Sequence, residues 1–156
     1  MSIRLIILRH GHYVPGSGQA LTADSCQRCQ VRAEQLAIEF GAVDMLYSSE
    51  ISRAKATAGL IAQGMKYPAE KIVITENLSE LSSMQQVTYF IHLLVAEAAV
   101  QEYQNIVIVT HLPVIEKFMQ FFTGEQVFVA PECGIVFEAD SWDSLLESSP
   151  RISVVN

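Results

Sequence analysis

The chain has 156 residues, half of them apolar and 17% charged. That is enough for one domain over residues 1–156 that buries roughly 70% of its unfolded surface, and too apolar for a disordered chain. The formal charge is −7, and the ten basic residues form neither a run nor a helical stripe. Nucleic acid is therefore not an expected partner, because binding a phosphate backbone needs clustered positive charge. No apolar run approaches the roughly 20 residues of a membrane span, and Leu5 to Leu8 is too short for a secretory leader. A cytoplasmic location without membrane contact is the expectation.

Strand-like and helix-like patterns alternate along the chain. Ile3 to Leu8 is a near-continuous apolar run, as in a strand covered on both faces. Thr22 to Phe40 is amphipathic with helical spacing, and Met45 to Ser48 is a short strand. A second helix carries the stripe Ile51, Ala54, Ala58, Ile61 and Met65, and Lys71 to Glu76 reads as a third strand. Ser83 and Gln86 form a capping box opening a helix that turns Val87, Phe90, Ile91, Leu94, Val95 and Ala98 inward. His92 falls on the polar side of that helix.

Ile106 to Val109 is the most strand-like stretch. Pro113 then suits the first turn of a helix carrying Ile115, Phe118, Met119 and Phe122, with Gly124 as its stop. Gly134 to Glu138 and Ile152 to Val155 read as terminal strands, separated by the polar, turn-rich segment from Asp140 to Pro150. Six strands and four helices in this order predict an α/β fold, three-layer α/β/α with a mainly parallel central sheet.

Three cysteines make a disulfide framework improbable in this composition. Cys26 and Cys29 are spaced as a C-x-x-C, but they fall on the stripe of Ala33, Leu36, Ala37 and Phe40 inside a helical pattern. Small buried hydrophobes are the favoured reading; a thiol redox pair is the competing one, and a zinc site lacks two further ligands nearby.

In open α/β sheets ligands gather at the carboxyl ends of the strands. Two strands end in histidine here: the first runs into Arg9-His10-Gly11, and the Ile106 to Val109 strand into Thr110-His111. Arg53 falls near a helix N-terminus, and Glu80 follows the third strand, so both can reach the same edge. The chemistry of this set is coherent. Arginines hold and neutralise a phosphoryl group. A neutral His10 can attack phosphorus, a protonated His111 can donate to an equatorial oxygen, and Glu80 can exchange protons with leaving group and water. No metal and no cofactor are needed.

These residues resemble the histidine phosphatase (phosphoglycerate mutase-like) superfamily. Arg9-His10-Gly11 resembles its R-H-G signature, Leu21-Thr22 its L-T, and Ser49 with Arg53, Ala54 and Thr57 its S-x-x-x-R-A-x-x-T. Leu78 and Glu80 resemble its L-x-E, and Thr110-His111 its second-histidine motif. Short length and Thr110-His111-Leu112-Pro113 look most like the SixA-type phosphohistidine phosphatases. The resemblance implies a phosphoglycerate mutase-like fold, His10 as the phosphorylated residue, and Arg9, Arg53 and His111 as the rest of the phosphate pocket. The substrate it implies is a phosphorylated protein or a small phosphorylated molecule. Alternatives are a small phosphate-ester phosphatase and a non-catalytic phosphate-binding module of the same fold.

His12 stands where many relatives carry an acidic residue, Ser25 where the first helix has Gly, and Glu50 where a Pro follows the serine. His12 is expected to flank the pocket, and Gly16-Ser17-Gly18 to form a loop beside it.

Overall fold

The computed structural model describes residues 2–16 and 20–156, so Ser17 and Gly18 of the expected loop lie outside the described residues. One sheet contains β1 (Ile3–Arg9), β2 (Met45–Ser49), β3 (Val73–Thr75), β4 (Asn105–Thr110), β5 (Gly134–Ala139) and β6 (Arg151–Val155). Its order is β3-β2-β4-β1-β5-β6. The pairs β1 with β4, β4 with β2 and β2 with β3 are parallel, and β5 runs against both of its neighbours. The α-helices are α1 (Ala23–Phe40), α2 (Ser52–Gly64), α3 (Met84–Gln101), α4 (Leu112–Thr123) and α5 (Trp142–Glu147).

The unbroken apolar runs of β1 and β4 are explained by cover on both faces. Ile6, Leu8, Val107 and Val109 pack against Ala33, Leu36, Ala54, Ala58 and Ile61 of α1 and α2. Leu5, Ile7, Ile106 and Ile108 face the opposite layer, where α3, α4 and α5 contribute Ile91, Leu94, Phe118 and Leu145. Each such buried side chain is worth roughly 1.5–3 kcal/mol, so the two cores hold a three-layer arrangement. Among the described residues no helix is long and apolar enough to cross a membrane.

Local chemistry sets the helix ends. Thr22 accepts from the Ser25 N–H to cap α1, and Ser83 with Gln86 forms the expected capping box of α3. Pro113 lies in the first turn of α4, and Gly124 ends it in the left-handed region at φ 73°.

Two expectations are corrected. The segment read as polar and turn-rich contains α5, because Ser141 and Ser144 cap each other's backbone and Trp142 and Leu145 bury on the α3 side. The third strand is only Val73–Thr75, since one-turn 3-10 helices at Ala69–Lys71 and Glu76–Leu78 take its ends. Its Val73 and Ile74 are exposed at the sheet edge.

Candidate active site

The sheet order makes β1 and β4 neighbours although β2 and β3 lie between them in the chain: Arg9 pairs with Thr110 in register. The residues that follow, His10 and His111, therefore leave the sheet side by side, with ring centroids 5.0 Å apart. The His10 N–H donates to the Thr110 carbonyl at 3.0 Å. Thr57 of α2 accepts from the Gly11 N–H at 2.9 Å and donates to the Arg53 carbonyl at 2.8 Å, tying the turn after β1 to the helix carrying Arg53. Thr110 donates to the Leu78 carbonyl at 2.6 Å, which anchors the segment carrying Glu80 to the end of β4.

His10 is buried, and its Nδ1 lies 2.8 Å from the Gly11 carbonyl. A carbonyl only accepts, so this network assigns the proton to Nδ1 and leaves a lone pair on Nε2. Arg53 Nε donates to that Nε2 at 3.3 Å. Desolvation is the largest effect on His10 and lowers its pKa; Arg53 and Arg9 lower it further, against the raising influence of the Gly11 carbonyl and Glu80. His10 is accordingly neutral at pH 7.

His111 is fully buried, with Nε2 2.9 Å from Ser49 Oγ at the end of β2. Its Nδ1 is buried without a hydrogen-bond partner. Burial, followed by the charges of His10, Arg53 and Arg9, pushes it down to about 3. The donor role expected of a protonated His111 thus requires an anion to raise its pKa first.

Arg53 is 6% exposed and pairs through Nη2 with Glu80 Oε2 at 2.6 Å. Its guanidinium also lies 4.8 Å from the ring centre of Tyr13. Glu80 itself is half exposed. Arg9 donates from Nη1 to the Val129 carbonyl at 2.9 Å, while its buried Nε has no partner. All five expected residues thus converge on the carboxyl edge of β1, β2 and β4. His12 does flank this group, its ring more than half exposed, and His92 is exposed on α3.

Two neighbours went unread in the sequence. Tyr13 covers Arg53 and lies 6.0 Å from the His10 ring. Glu132, 5% exposed, accepts from the His12 backbone N–H at 3.0 Å. Neither sits in a periodic segment, and only the adjacency of Tyr13 to the R-H-G turn signals its position. Of the thiols, Cys29 is buried and pushed up to about 11, chiefly by desolvation, so it is not a reactive nucleophile at neutral pH. Among the described residues no three His, Cys, Asp or Glu side chains gather as metal ligands.

The three layers, the sheet order and the edge where these groups meet define the phosphoglycerate mutase-like α/β/α fold. Among solved structures the chain is similar to the protein histidine phosphatase SixA complexed with tungstate, at a TM-score of 0.83 and 15% identity over 99% of this chain and 97% of that one. It is also similar to phosphoglycerate mutase from Bacillus anthracis (TM-score 0.75, 13% identity, 98% and 91% covered). A putative alpha-ribazole-5'-P phosphatase from Escherichia coli matches with a TM-score of 0.70 at 19% identity, covering 99% and 96%. No protein-family model and no curated protein matches the sequence. The resemblance carried by the R-H-G and T-H motifs therefore extends to the whole fold.

Proposed function

We propose that this protein is a phosphatase working through a phosphorylated His10, with phosphohistidine on another protein as its substrate. The observation that carries the reading is the placement of His10: Nδ1 faces the Gly11 carbonyl at 2.8 Å, which assigns the proton there, and Nε2 lies 3.3 Å from Arg53 beside a second buried imidazole. In the first step the Nε2 lone pair attacks phosphorus and the bond to the leaving imidazole nitrogen breaks. That nitrogen keeps the electron pair while the other nitrogen of its ring carries the proton, so that the substrate histidine departs as neutral imidazole. Arg9 and Arg53 neutralise the transferring oxygens, and His111 donates to one of them once the charge of the dianion has raised its pKa and it has taken a proton from solvent. In the second step water attacks phosphorus, the P–Nε2 bond breaks with its pair returning to His10, and Glu80 or solvent takes the water proton.

Phosphorus must approach Nε2 to roughly 3–3.5 Å, the space Arg53 Nε now occupies. Its guanidinium must therefore turn aside as the phosphoryl group enters. The half-exposed Glu80 offers it an outward partner.

A protein substrate is favoured by what rims these groups. Phe128, next to the Arg9 guanidinium, is 74% exposed, and Leu81, next to Glu80, is 92% exposed. Between Glu80 and β4 there is one helix, α3, which leaves no insertion to enclose a small metabolite. A small phosphate ester is the second reading, favoured by the burial of His10, Arg53 and His111. We further infer a single cytoplasmic domain whose chemistry needs no metal; activity should survive a chelator.

Rates on a phosphohistidine protein and on sugar phosphates, measured side by side, test the substrate. Turnover of sugar phosphates alone overturns the first reading. Incubation with a labelled phosphoryl donor should leave acid-labile label on the wild type and none on His10→Ala. An unlabelled wild type would point to a phosphate-binding module instead.

A further inference from the structure

A buried carboxylate stands behind the proposed nucleophile. Glu132 lies in the segment between α4 and β5, about 120 residues from the R-H-G turn in sequence and folded against it. Its N–H donates to the Arg9 carbonyl at 3.2 Å, and the Arg9 N–H donates to the Cys133 carbonyl at 2.8 Å. Glu132 adopts φ 62°, a left-handed conformation uncommon for a side chain of this size. Its carboxylate is 4% exposed and has four partners. Oε1 accepts from Arg28 Nε at 2.6 Å, and Oε2 accepts from Ser25 Oγ at 2.8 Å and from the His12 N–H at 3.0 Å. The His12 ring nitrogen Nδ1 lies 3.2 Å from the same oxygen.

The His12 N–H belongs to the peptide unit whose carbonyl is that of Gly11. That carbonyl accepts from His10 Nδ1 at 2.8 Å. One peptide plane is thus held at both ends, by a carboxylate at its N–H and by the imidazole at its C=O. We infer that Glu132 is a positioning residue for His10, acting through the Gly11–His12 peptide to keep the proton on Nδ1 and the lone pair on Nε2.

The physical link is polarisation. A carboxylate on a peptide N–H draws charge along the amide and makes its carbonyl a better acceptor, so hydrogen bonds in such a chain strengthen one another. Histidine in water prefers the proton on Nε2; holding it on Nδ1 needs an acceptor fixed in place and strong. The same logic operates where a buried carboxylate holds a catalytic imidazole directly; here a peptide stands between them. Desolvation alone raises the Glu132 pKa, but the hydrogen bonds of Arg28, Ser25 and His12 outweigh it and keep the group below its ordinary value, hence ionised. The fit is tight: a Cβ on Gly11 would come within 2.1 Å of Ser25 Oγ and 3.3 Å of Glu132 Oε2. His12 and Ser25, both departures from the superfamily pattern, each touch this carboxylate.

The role assigned to Glu132 rests on His10 being the nucleophile, but its first readout does not. Two-bond proton–nitrogen correlation of the His10 ring should show the Nδ1–H form in the wild type and a mixture, or the Nε2–H form, in Glu132→Gln. Turnover in Glu132→Gln should fall between about 10- and 100-fold, by analogy with removing an outer partner of a metal-bound histidine, with KM little changed. Leu145→Ala in α5 serves as a comparably destabilised control and should keep the wild-type ring spectrum. Should Glu132→Gln not fold, Ser25→Ala removes one donor from the same oxygen and should move the spectrum the same way by less. An unchanged His10 tautomer in the variant overturns the inference, as does a wild type already carrying its proton on Nε2. A wild type with the Nδ1–H ring but no phosphoryl transfer would refute the proposed function and leave the tautomer comparison to decide this point.

Discussion

Binding of a phosphate-like dianion should drive a proton onto His111. With its pKa pushed down to about 3, protonating this imidazole at pH 7 costs about 5 kcal/mol, from about 4 units at 1.36 kcal/mol each. A unit charge about 4 Å away at an effective dielectric of about 20 returns roughly 4 kcal/mol, and a dianion roughly 8. The attraction wins by about 3 kcal/mol, so the complex should take up one proton. Sulfate remains a tetrahedral dianion from about pH 7 to 5 and is the suitable probe. His10→Ala isolates the response, because the other buried imidazole is then gone. In that variant the association constant measured by calorimetry should rise about tenfold for each unit the pH falls from 7 to 5. Buffers of differing ionisation enthalpy should report uptake near one proton. His111→Asn in the same background should flatten the slope. A pH-independent affinity with no proton uptake in the His10→Ala protein would refute the electrostatic argument.

Three further outcomes follow from the geometry. His111 and His10 both have pKa values below the ordinary 6.5, so below that pH the unfolded chain binds protons that the native state refuses; stability should be full above pH 6.5 and fall with acid, by about 2 kcal/mol at pH 5 from His111 alone, with urea melts of His111→Asn losing most of the slope. Gly11→Ala should destabilise by about 1–3 kcal/mol, because its Cβ meets Ser25 Oγ; the cost should shrink in the Ser25→Gly background, and strict additivity in melting experiments would contradict the close approach. Glu80→Gln removes the charge of a half-exposed carboxylate but keeps an amide oxygen that can still accept from the buried Arg53, so stability should change by about 1 kcal/mol, while kcat on a sugar phosphate falls about 10²-fold and on phosphohistidine less, its imidazole leaving group being the easier to expel; equal losses on both would remove Glu80 as the proton donor.

How much of this was legible depends on where each signal resides. The apolar runs of β1 and β4 end in His10 and His111 within the sequence itself, and the rule that ligands gather at carboxyl ends brings both to one edge. That the two strands are neighbours with Arg9 opposite Thr110 is not written in either run; it comes from β2 passing outside β4 in the sheet. The α5 helix was hidden because six residues with only Trp142 and Leu145 buried show too little periodicity against serine-rich surroundings. Arg53 and Glu80 were legible as reaching one edge, but not their ion pair, which depends on the 3-10 turn Glu76–Leu78 after β3.

Glu132 marks the limit of reading by motif. A motif records side chains that share an element or follow one, and the segment from Gly124 to Cys133 is neither helix nor strand. Its carboxylate works on a backbone amide, which every residue has, so no residue type at position 12 announces the contact. What the sequence did carry were two anomalies, His12 and Ser25, well apart in the chain. Both became intelligible only when the fold laid a third segment across them: Ser25 supplies a donor to the carboxylate, and the missing side chain at Gly11 lets that donor approach. An acidic group thus stands beside the R-H-G turn although position 12 is not itself acidic. Where a chain departs from a pattern it resembles at two positions that share one buried partner, the partner is the residue to examine for function.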